Sequence, residues 1–218
     1  MATYVLIHGA GDVGWSWHLV AAELEKKGHT VIAPDLPVDD DSATLNDYAA
    51  TTISAVGDLR EPAIVVGHSF GGFTAPIVAS RIPTALLVFV AAMIPAPGES
   101  ASDMFGNTGY VEEPQEDSSD MALYLHDVEP ALAEEALGKW RNQSSTGFGD
   151  TFPLNRLPDV PTRAVIGSID RVCPVDWMEK VVTDRLGIVP VRIESGHCVA
   201  LAKPVELAAM LERYREAL

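Results

Sequence analysis

Short apolar runs alternate with amphipathic segments along most of the chain. Continuous apolar strands that alternate with helices are typical of a parallel sheet covered on both faces. The pattern therefore predicts an α/β fold, with a mostly parallel sheet of about six strands and helices on both faces. The predicted strands are Tyr4–His8, Thr30–Ala33, Ala63–Gly67, Ala85–Val90, Arg163–Gly167 and Ile188–Ile193.

Apolar residues recur at helical spacing between these runs. Gly28 predicts the end of the first helix, and Pro204 predicts the start of the last one. The predicted helices of the regular part are Trp17–Lys27, 45–56, Phe73–Ser80 and Val205–Tyr214.

The segment 95–158 departs from this alternation. It is acidic, has no Lys or Arg before Lys139, and shows helical patterns at Met121–Leu125 and Ala131–Trp140. A stretch this long without a strand is uncommon unless it has a function. We interpret 95–158 as a helical cap inserted into a single α/β domain that spans residues 1–218.

Composition and charge restrict the partners. The net charge of −16 argues against binding nucleic acid or an anionic membrane surface. No targeting segment or membrane span is visible, and two cysteines do not form a disulfide framework. We expect a cytoplasmic protein and leave open a homodimer.

The strongest chemical motif is Gly67-His68-Ser69-Phe70-Gly71, which follows an apolar strand and precedes a helical segment. A G-x-S-x-G motif in this setting predicts a nucleophile elbow, a sharp turn that projects a serine hydroxyl into a cleft. The helix N-terminus beneath it favours negative charge that develops during acyl transfer. Ser69 is the predicted nucleophile.

A serine nucleophile needs a base that a carboxylate orients. Elbow hydrolases place these partners after the serine in the order acid, then histidine. Asp170 and His197 each follow a predicted strand, and His197 is the last histidine of the chain. Asp176 is the rival acid, but it fits better as a helix N-cap.

Two backbone N–H groups are expected to bind the oxyanion, one from Phe70 and one from Ala10 in the turn after the first strand. Met93, Ile94, Trp140 and Phe148 are predicted to line the substrate pocket. Among the other histidines, His68 is expected to pack beside the elbow, and His18, His29 and His126 are expected at the surface.

A competing motif is Gly9-x-Gly11-x-x-Gly14, followed by Asp35 at the end of the second strand. This is the pattern of a dinucleotide-binding site. We disfavour it because Trp15 and Trp17 follow where a helix must pack closely on the strand. It also leaves the serine, aspartate and histidine unexplained.

Several motifs occur together in order: Val5-Leu6-Ile7-His8-Gly9-Ala10, Trp15-Ser16-Trp17, Gly28-His29 ahead of Ala33-Pro34-Asp35-Leu36, the elbow with Gly72, the Asp170 segment and Ser195-Gly196-His197. Because it has these motifs together and in this order, the chain resembles small α/β-hydrolases of the plant methylesterase and hydroxynitrile-lyase group and their bacterial esterase relatives. The resemblance implies no metal, no organic cofactor and a helical cap over an apolar pocket. The lyases have threonine and lysine where this chain has Gly9 and Cys198, which implies an esterase-like site.

The functional hypothesis is a serine hydrolase that cleaves a small neutral or apolar carboxylic ester through an acyl-enzyme. Two alternatives remain open, a ligand receptor with slow turnover and a cofactor-free lyase or dioxygenase on the same fold. Cys173 and Cys198 follow the predicted acid and base closely. We expect two free thiols there, although they could lie near each other.

Overall fold

The computed structural model describes residues 1–111 and 114–218. Within these ranges, six strands form one sheet in the order β2-β1-β3-β4-β5-β6, and every neighbouring pair is parallel. The predicted parallel α/β fold is confirmed. The strands are β1 (Thr3–Ile7), β2 (Thr30–Ile32), β3 (Ala63–His68), β4 (Thr84–Val90), β5 (Thr162–Gly167) and β6 (Val191–Ile193).

Helices cover both faces of this sheet. Those that pack on it include α1 (His18–Glu25), α2 (Leu45–Val56), α3 (Gly71–Ala79), α8 (Val175–Leu186) and α10 (Pro204–Glu216). The other helices of the described residues are α4 (Ala101–Thr108), α5 (Asp120–Tyr124), α6 (Pro130–Lys139), α7 (Ser145–Gly149) and α9 (Val199–Ala202). No helix in the described part of the chain is long and apolar enough to cross a bilayer.

Side chains that alternate along the strands divide the core into two layers. In β1, Val5 and Ile7 pack with α2, α3 and α8, whereas Tyr4 and Leu6 pack with α1 and α10. Successive residues of a strand point to opposite faces, so one apolar run supplies both layers. This explains why the strands are apolar throughout.

Three local predictions are corrected. The first helix begins at His18, after a 3-10 turn at Gly14–Trp17. Strand β6 begins at Val191 because Gly187 ends α8 in a left-handed conformation and Pro190 has no N–H for a ladder. Pro174 occupies the N-cap of α8, and Asp176 lies in the first turn of that helix.

The segment 95–158 connects β4 to β5 and holds four of the helices found in the described residues, α4 to α7. The sequence predicts α5 and α6 but not the short α4 and α7. Residues 112 and 113 of this segment lie outside the described residues. Its two ends are joined, because Gly98 N–H donates to the Phe152 carbonyl over 3.2 Å and Phe152 N–H donates to the Glu99 carbonyl over 2.8 Å.

The strand order determines where the loops meet. The chain moves from β1 to β2 on one side, and β3 then pairs with β1 on the other side. In such sheets ligands bind outside the carboxyl ends of the strands, where the order reverses. The turns that follow β1 and β3 therefore face each other across this crevice.

His29 occupies the opposite end of the molecule, and its predicted surface position is wrong. Its Nδ1 accepts the Ala2 N–H over 3.0 Å, and its Nε2 donates to Glu212 over 3.0 Å. Glu212 also accepts the Tyr4 hydroxyl. With both ring nitrogens bonded, His29 lies buried without an unpaired polar atom.

Two more histidines are buried at the carboxyl ends of β1 and β3. Burial disfavours the charged form of an imidazole. It lowers the pKa of His8 to about 4 and that of His68 to about 3. Both rings are therefore neutral at neutral pH.

Gly72 in α3 offers a test of the packing between this helix and the chain after β4. A Cβ at this position would lie 2.0 Å from the Met93 carbonyl oxygen, whereas nothing lies within 4 Å of a Cβ at Gly138 in α6. Gly72→Ala should lower the free energy of unfolding by at least about 1–3 kcal/mol. Gly138→Ala should raise it by about 0.5–1 kcal/mol. Urea unfolding of both variants measures the difference, and equal stability of the two would contradict the packing described.

The neutral state of His68 predicts how stability depends on pH. Between about pH 6.5 and pH 3 the unfolded chain binds a proton at this residue and the folded chain does not, so acidification lowers stability. His68→Gln should make the slope of unfolding free energy between pH 6 and pH 5 shallower by up to about 1.4 kcal/mol per pH unit. His18→Gln, at a ring only partly buried, is the matched control. An unchanged slope in His68→Gln would mean that the ring is protonated in the folded state.

Candidate active site

Ser69 lies in the tight connection between β3 and α3. Its φ of 50° is left-handed, which is unusual for a residue with a side chain. The Ser69 carbonyl accepts the N–H groups of Gly72 and Met93, each over 3.0 Å. These bonds hold the strained residue in place and match the sharp turn that the G-x-S-x-G motif predicts.

The structure brings the three predicted catalytic side chains together. The distance from Ser69 Oγ to His197 Nε2 is 2.9 Å, and that from His197 Nδ1 to Asp170 Oδ2 is 2.8 Å. The three residues follow β3, β5 and β6, so they come from separate strand ends at one edge of the sheet. Because the Asp170 carboxylate accepts the Nδ1–H of His197, the Nε2 of that ring is the nitrogen that faces the Ser69 hydroxyl.

Asp170 and His197 are themselves held by backbone groups. Asp170 Oδ1 accepts the N–H groups of Val172 and Cys173 over 2.8 and 2.9 Å. The His197 carbonyl accepts the Nε2–H of His68 over 3.0 Å, and the two rings lie 5.1 Å apart. His68 therefore packs beside the elbow as predicted, with its tautomer determined by a partner that can only accept.

Two residues of the segment 95–158 hold the loops that carry Asp170 and His197. His126 Nε2 donates to the Ile169 carbonyl over 3.1 Å, so His126 is partly exposed as predicted but does not stand alone. The Asp127 carboxylate accepts Gly196 N–H over 2.7 Å and the Ser195 hydroxyl over 3.1 Å. Neither contact can be predicted from the sequence, because a helical pattern does not indicate which loop a neighbouring turn will contact.

The turn after β1 passes close to Ser69. A Cβ at Gly9 would lie 2.8 Å from Ser69 Cβ. The Gly9 carbonyl accepts the His8 Nδ1–H over 2.9 Å, and His8 Nε2 accepts Leu36 N–H over 2.9 Å. In a trans peptide the N–H is opposite to the C=O, so Ala10 N–H points away from the His8 ring.

Ala10 and Phe70 both border the cavity in front of Ser69. No hydrogen bond among the described residues uses the backbone N–H of either residue. Two free N–H groups beside a serine hydroxyl are the arrangement that can bind the oxygen of a tetrahedral intermediate.

The cavity has a volume of about 300 Å³ and is bordered mainly by apolar and aromatic side chains. Met93, Trp140 and Phe148 lie in its walls, at the positions that the sequence analysis selected. Further apolar walls, which the sequence does not predict, come from the segment 95–158 and from the loop after β5, namely Phe105, Tyr124 and Val172. Tyr124 sits edge-on to the His197 ring at 5.5 Å.

The prediction of Ile94 as a wall is wrong. This residue has no exposed surface and packs in the core layer that contains α8. Its carbonyl accepts the guanidinium of Arg185 from that helix. Met93 packs in the same core layer, but of these two neighbours only Met93 also borders the cavity.

Polar groups border one part of the cavity. They are the side chains of Asp12, Asp120, Arg141 and Gln143. Burial raises the pKa of Asp12 to about 6, against the hydrogen bonds from Ser16 and the Val13 N–H. The Arg141 guanidinium donates to the carbonyls of Asp12 and Leu36 over 3.0 and 2.7 Å, so these hydrogen bonds are made within the protein.

Cys173 and Cys198 are free thiols that border the same cavity. Ligand atoms of Asp170, Cys173 and His197 lie within 4.8 Å of one another, a spacing that could hold a metal ion. Burial raises the pKa of the Cys173 thiol well above its usual value, and the carboxylate is already bonded to His197. A protonated thiol is a poor metal ligand, so the donor set does not suit a resident ion.

The glycine motif of the dinucleotide hypothesis has a structural explanation. Gly14 N–H donates to the Asp35 carboxylate over 2.7 Å. The acidic residue that would bind a ribose therefore holds the turn after β1 against the end of β2. A 3-10 turn, and not a regular helix, follows the third glycine of the motif.

Comparisons with known proteins agree with this arrangement. Residues 4–210 match the family described as alpha/beta hydrolase. Methylesterase 7 of Arabidopsis thaliana is 28% identical over 249 aligned positions, which cover 95% of this chain and 94% of the relative.

Two solved structures show the same fold over nearly the whole chain. A methylesterase of Arabidopsis superposes with a TM-score of 0.83 at 19% identity and full coverage of both chains. Polyneuridine aldehyde esterase superposes with a TM-score of 0.82 at 22% identity, covering 99% of each chain. With its sheet order, its strained serine turn and a family match that spans the domain, this chain belongs to the alpha/beta hydrolase family.

Proposed function

We propose that this protein is a serine esterase that hydrolyses small, neutral or apolar carboxylic esters. The observation that carries the proposal is the continuous line of hydrogen bonds from Ser69 through His197 to Asp170 at the floor of the cavity. Similarity to a methylesterase and to polyneuridine aldehyde esterase supports the choice of ester substrates.

The chemistry begins with attack of Ser69 Oγ on the ester carbonyl carbon. His197 Nε2 takes the hydroxyl proton, and Asp170 stabilises the imidazolium through Nδ1–H. The carbonyl oxygen becomes an oxyanion that accepts hydrogen bonds from Ala10 N–H and Phe70 N–H. When the intermediate collapses, His197 returns the proton to the leaving alkoxide and the acyl group remains on Ser69.

The second half repeats these steps with water. His197 removes a proton from a water molecule, whose oxygen attacks the acyl carbon. When the second tetrahedral intermediate collapses, the bond to Ser69 Oγ breaks, His197 returns the proton to that oxygen, and the carboxylic acid is released. No cofactor or metal is required by these steps, since each proton moves between Ser69, substrate or water and His197.

The walls of the cavity favour a compact apolar acyl group. Phe105, Trp140 and Phe148 come from the segment 95–158, which we propose to act as a cap that keeps bulk water from the acyl-enzyme. Bulky polyanions fit this site poorly, because Asp12 and Asp120 border it and the chain has a net charge of −16.

Replacement of Ser69 tests the nucleophile. Ser69→Ala should reduce hydrolysis of p-nitrophenyl acetate and butyrate by about 10⁴-fold or more, because the acyl-enzyme cannot form. Labelling by a fluorophosphonate should disappear with it. Ser168→Ala removes a serine at the end of β5 and should leave both readouts unchanged.

Two other outcomes of this experiment would contradict the proposal. Hydrolysis that persists in Ser69→Ala would overturn the esterase mechanism. Labelling of the native protein without turnover of any ester in a broad panel would favour a ligand receptor with slow turnover.

Replacement of Asp170 tests the role of the carboxylate. Asp170→Asn should lower kcat by about 10⁴-fold with a small change in KM, because the amide favours the wrong imidazole tautomer. Asp176→Asn, the rival aspartate in α8, should leave kcat within about twofold of the native value. Similar losses in the two variants, measured by steady-state kinetics, would contradict the assignment.

A further inference from the structure

The turn that carries Ala10 is held by a side chain outside the proposed serine, histidine and aspartate. We propose that Gln143, oriented by Tyr48, is a positioning residue that keeps Ala10 N–H in place to bind the oxyanion. This inference rests on the proposed esterase function and adds to it a residue of the segment 95–158.

The side-chain amide of Gln143 has one orientation. Gly11 N–H donates to Oε1 over 3.1 Å, and Nε2 donates to the Ser144 carbonyl over 3.0 Å. A backbone N–H can only donate and a carbonyl can only accept, so oxygen and nitrogen cannot be exchanged. The remaining Nε2–H donates to the Tyr48 hydroxyl over 3.1 Å.

These contacts separate a positioning role from a substrate contact. Gln143 borders the cavity, yet both of its N–H groups are already bound to partners within the protein. No donor of this side chain is left for a substrate. The bond from Gly11 to Oε1 instead connects Gln143 to the residue directly after Ala10.

Successive peptide groups around Ala10 are bonded to fixed partners. The Gly9 carbonyl is held by the buried His8 ring, and Gly11 N–H is held by Gln143. The Gly11 carbonyl accepts Arg141 N–H over 2.6 Å. An oxyanion hole gains most of its effect from donors that need not reorganise during the reaction, and these bonds supply that rigidity.

Tyr48 connects this arrangement to the core and to the second donor. It lies in α2 with no exposed surface, so its hydroxyl is a fixed acceptor for Gln143. Its ring packs edge-on against Phe70, with centroids 6.3 Å apart. One buried side chain thus supports both residues whose N–H groups are proposed to bind the oxyanion.

The test compares three variants of the whole protein with p-nitrophenyl butyrate. Gln143→Met keeps the size of the side chain and removes its hydrogen bonds. It should lower kcat by about tenfold to a hundredfold, with KM within about threefold, since a displaced group typically costs up to about a hundredfold in rate. Tyr48→Phe removes the hydroxyl alone and should lower kcat less, by about twofold to tenfold. Asn142→Ala, at the exposed neighbour, is the control and should match the native protein.

A second readout isolates the oxyanion. A trifluoromethyl ketone forms a tetrahedral adduct with a serine, so its affinity should fall in Gln143→Met by the same factor as kcat/KM. A general structural defect would instead reduce the fraction of enzyme that a fluorophosphonate can titrate and leave the kcat of the titrated fraction unchanged. If Gln143→Met does not fold, Tyr48→Phe gives the same comparison with a smaller change.

The possible results distinguish this inference from the function on which it rests. A native kcat in both Gln143→Met and Tyr48→Phe, with Ser69→Ala inactive, would overturn the positioning role and leave the esterase mechanism intact. A rise in KM at constant kcat would overturn it in favour of a substrate contact. Hydrolysis that survives Ser69→Ala would remove the basis of both.

Discussion

The backbone of Ser69 is the constraint on which the site depends. A left-handed residue with a side chain is unfavourable by itself and persists only where its surroundings over-determine it. Here the Ser69 carbonyl is bonded to N–H groups of α3 and of the chain after β4, and α3 lies against β1 and β3. The sheet therefore holds the turn, and the turn directs the Ser69 hydroxyl towards His197, which follows the edge strand β6.

Two neutral, buried histidines support the backbone around the candidate site. His8 and His68 are held neutral by burial, and each donates a ring N–H to a backbone carbonyl, that of Gly9 and that of His197. One ring supports the turn beside the nucleophile, and the other supports the backbone of the proposed base. A charged ring at His68 would lie buried next to the imidazolium that the proposed mechanism forms at His197.

The sequence predicts the sheet, the elbow and the order of the three catalytic candidates because these follow from local rules. An apolar run predicts a strand, and a polar residue just after a parallel strand must lie at one edge of the sheet. The walls of the cavity are harder to predict, since Phe105, Tyr124 and Gln143 come from short helices and turns whose position depends on tertiary packing. Ile94 illustrates the limit, because its neighbour Met93 borders the cavity whereas Ile94 lies wholly in the core. The burial of His29 likewise depends on Glu212, which is distant in sequence and shows no local pattern.

The bonds between Gly98, Glu99 and Phe152 close the base of the segment that supplies Phe105, Tyr124, Trp140 and Phe148 to the cavity walls. The two ends of that segment stay side by side whatever sequence lies between them. The entropy of closing such a loop changes only slowly with its length, so lengthening or replacing the interval costs the sheet little. Within this architecture, substrate preference can diverge by replacement of this one segment, while Ser69, His197 and Asp170 remain on a sheet that does not change.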